Sequence, residues 1–183
     1  MQKGKIIILN GAAGSGKTTI IRKLQEQLAE PFYALSLDTF INMTPQRFFS
    51  DPDGRSVVNR AVSILPYTVK QFSDMGLNTI VEHVFMKIDK LIDEFVELLH
   101  EYPLLFIHVT CPLEEHRQRL TERGGNPDTV LEWQLPLIIP QDTYDLTIDS
   151  TQEKCIDEIK NFLDYPEKFK AFKTLWSQHT AYK

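Results

Sequence analysis

Short apolar runs separated by longer segments of helical spacing organise this chain. Five runs, Lys5–Asn10, Tyr33–Leu37, Asn78–Val81, Leu104–Val109 and Tyr144–Ile148, are short and mostly non-alternating, the pattern of strands covered on both faces. Between them, Ile20, Ile21, Leu24 and Leu28 share one helical face ahead of Pro31, and Leu91, Ile92, Phe95, Leu98 and Leu99 share another ahead of Pro103. Strand and helix alternate. Right-handed crossovers then predict a three-layer α/β domain with a five-stranded parallel sheet, whose ligands meet it at the carboxyl ends of the strands.

Two segments interrupt that rhythm, and both follow the carboxyl end of a strand, where loops form binding sites. The first, Asp38–Gly76, carries the turn-rich Ser50-Asp51-Pro52-Asp53-Gly54 and a helical stretch from about Ser56 to Met75. It is read as an acceptor-binding insert. The second, Pro112–Pro140, holds Arg117, Arg119 and Arg123 and then Gly124-Gly125-Asn126-Pro127, and is read as a lid hinged at the glycines that closes on its ligand. A last helix is expected from about Gln152 to Leu163. The tail over 164–183 places Phe169, Phe172 and Trp176 at helical spacing; packing against the domain is the main reading, and a partner-binding helix the alternative. No linker or repeat divides the chain, so residues 1–183 are read as a single domain.

Composition narrows the partners. Twenty Lys and Arg against 25 Asp and Glu leave the 183-residue chain at a net charge of −5, which argues against a nucleic acid held by bulk electrostatics. The two cysteines, Cys111 and Cys155, have neither metal-ligand nor disulfide-framework spacing and fit a reducing cytoplasm. The longest apolar runs fall far short of the roughly 18 residues of a membrane span. Met1-Gln2-Lys3-Gly4-Lys5 before Ile6–Leu9 has the charge order of a signal peptide, but its apolar core is too short, so it reads as an internal strand.

One segment carries chemistry outright. Gly11-Ala12-Ala13-Gly14-Ser15-Gly16-Lys17-Thr18 matches G-x-x-x-x-G-K-[ST] between a predicted strand and a predicted helix. Glycines let the backbone curl so that N–H groups converge on phosphate oxygens, and the helix opening near Gly16 adds the positive end of its dipole. Lys17 can then reach the β and γ phosphates. Thr18 can offer its hydroxyl to Mg2+, with Thr19 beside it on the nucleotide side. Asp38 closes the second run, where a carboxylate can take a proton from an acceptor hydroxyl; helix capping is its other reading. Glu82 ends the third run, placed to join Thr18 at a metal, with His83 either contacting substrate or packing. Arg119 and Arg123, four apart, present guanidinium groups suited to an adenine face and to transferring phosphate. The remaining histidines, His100, His108, His116 and His179, form no metal or triad pattern.

These residues together resemble the chloramphenicol phosphotransferase-like family of P-loop kinases. The resemblance rests on Ile6–Gly11 and the glycine loop, on Leu24-Gln25, Pro31-Phe32 and Leu37-Asp38-Thr39-Phe40-Ile41, and on Val81-Glu82-His83-Val84-Phe85. It continues through Cys111-Pro112-Leu113-Glu114 with Arg119, Arg123 and Gly124, and through Tyr144–Asp149. It covers about residues 5 to 163 and implies a three-layer P-loop NTPase fold similar to nucleoside monophosphate kinases. It also implies ATP-dependent phosphorylation of a small-molecule hydroxyl, with Asp38 matching the catalytic base. The chain departs from the family's habit of two acidic residues at Glu82-His83, and of an acidic then a basic residue at Gly125 and Asn126.

The expected activity is therefore transfer of the ATP γ-phosphate, with Mg2+, to an acceptor alcohol such as an antibiotic or metabolite. A toxin-like or nucleotide-sugar kinase and a regulatory nucleotide-binding switch are the alternatives. A GTPase is disfavoured because no Asn-Lys-x-Asp stretch occurs. Oligomeric state and the identity of the acceptor are not legible in the sequence.

Overall fold

The computed structural model of the chain describes residues 2–50, 54–88 and 90–181. Its centre is a parallel sheet in the order β2-β3-β1-β4-β5, built from β1 (Ile6–Asn10), β2 (Phe32–Ser36), β3 (Asn78–His83), β4 (Leu104–Thr110) and β5 (Leu146–Asp149). β1 lies in the middle and is buried along its whole length, which is why its sequence is continuously apolar instead of alternating. Side chains still alternate between faces. Ile6 and Ile8 join Val81, Leu104 and Phe106 in one apolar layer. Ile7 and Leu9 join Ile80, Leu105, Ile107 and Ile148 in the other.

Helices cover both layers. α1 (Lys17–Gln27) and α8 (Cys155–Leu163) bring Ile20, Leu24, Ile156 and Ile159 to the second layer. α4 (Leu65–Asp74) and α5 (Lys90–Leu99) bring Val69, Phe95 and Leu99 to the first. Each such side chain, fully buried, is worth about 1.5–3 kcal/mol. The tail packs too. α9 (Ala171–Ala181) buries Phe172 in the first layer and lays the Trp176 ring flat on His100, centroids 4.3 Å apart at 9°, while Phe169 enters the second layer. Asp145 pins this tail: its carboxylate accepts from the backbone N–H of Phe106, Lys170 and Ala171 at 2.9, 2.6 and 2.8 Å. Among the described residues no helix is long and apolar enough to cross a membrane.

The segment between β2 and β3 holds α2 (Leu37–Asn42), a 3₁₀ turn at Gln46–Ser50, α3 (Gly54–Val62) and α4. The single helix expected from Ser56 to Met75 is thus two. Pro66 sits in the first turn of α4, and a proline lacks the N–H that a continuous helix would need there, so the chain breaks around Ser63 and restarts. The turn signal at Asp51-Pro52-Asp53 falls outside the described residues. Phe40 is core at 7% exposure, whereas Met43 at 69% and Phe49 at 48% face outward. After β4 come α6 (Leu113–Glu122) and α7 (Pro127–Gln134). Gly124, at φ 76°, ends α6 in a left-handed conformation that only glycine adopts freely, and the Asn126 side chain caps α7 by accepting from Thr129 N–H at 3.3 Å, with Pro127 next.

Candidate active site

Register sets the site. In the sheet Asn10 lies opposite both His83 and His108, and Ser36 lies opposite Glu82, so the chain segments leaving β1, β2, β3 and β4 all emerge at one edge. The loop after β1 runs Gly11–Gly16 into α1. Gly14 and Gly16 have φ of 80° and 97°. A Cβ at Gly11 would collide with the Val109 carbonyl, and one at Gly16 would stand 2.8 Å from Ser150 Oγ and 3.1 Å from an Arg119 nitrogen. The narrow cradle therefore depends on glycine twice over. Gly16→Ala is expected to displace the loop and weaken ATP binding by about tenfold or more; calorimetric titration with ATP showing native affinity would contradict this.

Every carbonyl of the loop's first four residues is held. Lys17 Nζ donates to Gly11 O at 2.7 Å and Ala12 O at 3.1 Å. His116 Nδ1 bonds Ala13 O at 2.8 Å, and Arg119 donates to Gly14 O at 3.1 Å. Lys17 is 9% exposed. Burial pushes its ammonium down to about 8, against the pull of Glu82 and with a smaller push from Arg123, so it is still mostly charged at neutral pH.

Lys17, Thr18, Asp38, Glu82, His83 and Arg123 line one cleft of about 200 Å³ together with Ala13, Gly14 and Gly16. Thr18 Oγ1 donates to Glu82 Oε2 at 2.9 Å. Asp38 lies exposed in the first turn of α2, whose cap is Ser36: the Ser36 hydroxyl accepts from the Asp38 N–H at 3.2 Å. With the cap supplied by Ser36, the Asp38 carboxylate is not needed to close α2, and Asp38 lines the cleft. Arg123, at the end of α6, also borders an adjoining groove lined by Gly16, Thr19, Lys23, Arg119 and Ser150. Arg119 is engaged within that groove, on Gly14 O, on Ser150 Oγ at 3.0 Å and on Glu115 at 3.2 Å. Sequence reading passed over Gln134, Ser150 and the Asn10–Tyr144 pair, whose 2.6 Å bond closes the sheet edge; their contacts span long stretches of chain and leave no local spacing.

His83 sets its ring edge-on to Phe85, centroids 4.3 Å apart. Burial, then Lys17, pushes its pKa down to about 4, and burial also lowers His108 and His116. These imidazoles are neutral in the fold, while an unfolded histidine takes a proton near 6.5. Stability is thus fully present above about pH 6.5 and is lost as pH falls toward 4, with His83 alone contributing up to about 3 kcal/mol. Denaturant unfolding at pH 7.5 and 5 is expected to show that loss, reduced in His83→Gln; equal stability at both values would contradict it.

The residues present fit a nucleotide and its metal. Glycines that exclude any Cβ leave room for phosphate oxygens against the loop, and the Thr18 hydroxyl with the Glu82 carboxylate forms a pair of hard oxygen donors. Donors of this kind suit Mg2+, which proteins commonly bind through one or two of their own oxygens with water and phosphate completing the shell.

A central parallel sheet of this order, with a glycine loop between β1 and α1, a carboxylate at the end of β3 and another just after β2, defines the P-loop kinase fold. Similar solved structures include a sugar kinase from a Janibacter species, at 21% identity over 91% of this chain and 98% of that one, TM-score 0.66. The APS kinase of Mycobacterium tuberculosis in complex with AMPPNP and APS matches at 13% identity over 90% and 99%, TM-score 0.64. Shikimate kinase from Acinetobacter baumannii in complex with shikimate matches at 20% over 88% and 92%, TM-score 0.58. Among curated proteins none matches in sequence. The profile of the chloramphenicol phosphotransferase-like proteins matches residues 4–164, and the chain belongs to that family.

Proposed function

We propose that the chain is a small-molecule kinase that transfers the γ-phosphoryl group of ATP to a hydroxyl. The observation that carries this reading is the shared cleft: Asp38 lines the same space as Lys17 and the Thr18–Glu82 pair. A phosphate grip alone fits any nucleotide binder; a second carboxylate in the same cleft, outside the Thr18–Glu82 pair, fits an acceptor. On this fold the APS kinase binds AMPPNP and APS together.

The work of each residue follows. The loop N–H groups and the α1 dipole hold the phosphates. Lys17 brings positive charge to the group in transit, and Arg123, exposed at the cleft edge, braces it from the side of α6. A magnesium ion held by Thr18 and Glu82 would neutralise charge on the phosphates. Asp38 accepts the acceptor's hydroxyl proton as the new P–O bond forms and the bond from γ-phosphorus to the bridging oxygen breaks, releasing ADP. Leu37 and Val84 line the same cleft, and Met43 and Phe49 lie exposed on the segment that follows β2, which suits an amphiphilic alcohol better than a bare sugar.

Steady-state ADP release, measured with and without candidate alcohols, tests the reading. A kinase is expected to hydrolyse little until an acceptor arrives. Rapid hydrolysis indifferent to every alcohol offered would favour a nucleotide switch instead.

A further inference from the structure

We propose that His116 and Gln134 are positioning residues that hold the phosphate loop in its binding shape, gripping Ala13 from α6 and α7. His116 Nδ1 donates to Ala13 O, and Ala13 N–H donates to Gln134 Oε1, both at 2.8 Å. Neither side chain lines the cleft, whereas Ala13 does. They act through the loop.

Ala13 contributes to two consecutive peptide planes, and each bond fixes one of them. The His116 bond holds the Ala13–Gly14 peptide with its carbonyl toward α6. In a trans peptide the N–H points the opposite way, so the Gly14 N–H is turned away from α6, and Gly14 is itself a cleft residue. The histidine's tautomer follows, because a carbonyl only accepts and Nδ1 must carry the proton. Gln134 holds the Ala12–Ala13 peptide by its N–H, while Lys17 Nζ holds the same peptide by its carbonyl at 3.1 Å. When Lys17 turns to a phosphate, Gln134 still fixes that plane.

Packing reinforces the grip. Ala12 is buried with Leu120 of α6 and Leu131 of α7, with Ala13, Val130 and Ile138 against them. A loop carrying two positive-φ glycines has many peptide orientations of similar energy, and an anion site gains affinity when the productive one is selected beforehand. The segment after β4 therefore shapes the phosphate site by hydrogen bonds to backbone as well as through its arginines.

This inference rests on the reading of the loop as an ATP site, and the test separates the two. ATP affinity is measured by calorimetry for the native chain, His116→Asn, His116→Leu and Gln134→Leu, with circular dichroism confirming that each is folded at the temperature used. His116→Asn keeps an N–H donor near the Nδ1 position and is expected to bind within about threefold of native, whereas His116→Leu and Gln134→Leu lose about tenfold. Gln134 is half-buried, so Gln134→Leu decides alone should His116→Leu fail to fold. Native affinity in the folded leucine variants, with ATP bound by the native chain, overturns the positioning role alone. Failure of the native chain to bind ATP overturns the site reading and this inference together.

Discussion

Asp38→Asn is expected to bind ATP as tightly as the native chain and to lose phosphoryl transfer by about 10²- to 10⁴-fold, the scale of a general base. The amide keeps the shape of the carboxylate and one acceptor oxygen but cannot take the hydroxyl proton. Asp38 makes this separation clean because its side chain is exposed in the first turn of α2 and the cap of that helix is Ser36, so the substitution leaves α2 intact. A loose, metaphosphate-like transition state demands little proton removal, which sets the lower end of the range. Single-turnover transfer and calorimetric titration on the same variant check the split. Weakened ATP binding with transfer intact would make Asp38 a structural carboxylate.

Lys17→Ala is expected to lose about 2–4 kcal/mol of barrier stabilisation, the scale of one preorganised electrostatic donor, or roughly 10²- to 10³-fold in turnover. The fold is expected to survive. Burial holds the Lys17 ammonium below its ordinary pKa, so keeping it charged at neutral pH opposes folding, and its removal takes a donor from the Gly11 carbonyl and one from the Ala12 carbonyl, which still accepts from the Ser15 N–H. The unfolding midpoint is therefore expected to change little while kcat falls. Near-native turnover would remove the phosphate loop from the mechanism.

What was legible in the sequence follows from what periodicity and spacing can encode. β1 and α1 are written in a continuous apolar run, a glycine motif and a 3.6-residue stripe, all local, and the structure places them within a residue or two. The order β2-β3-β1-β4-β5 is not local, yet right-handed crossovers restrict it enough that Asp38 and Glu82, each at the end of its own strand, were expected at one edge. The break at Pro66 was missed because the apolar spacing of Ser56–Met75 continues across it, although the proline itself carried the signal. The brace beneath the phosphate loop had no signal. His116 and Gln134 reach Ala13 from more than a hundred residues away, and a hydrogen bond to backbone needs no particular residue type on the loop. Arg119 shows the same limit: its spacing from Arg123 placed both on one helix face, but only the structure shows Arg119 on Gly14 and Ser150 while Arg123 stays exposed.

The central claim is that this cleft joins a nucleotide to an acceptor alcohol, and mass spectrometry of an acceptor panel tests it most directly. A panel of hydroxylated metabolites and antibiotics is incubated with the native chain, ATP and Mg2+, and in parallel with Asp38→Asn. At least one acceptor is expected to gain the mass of a single phosphoryl group in an ATP-dependent manner, with the gain lost in the variant. ADP accumulating equally with and without the panel while no acceptor gains mass, or equal phosphorylation by Asp38→Asn, would contradict the account.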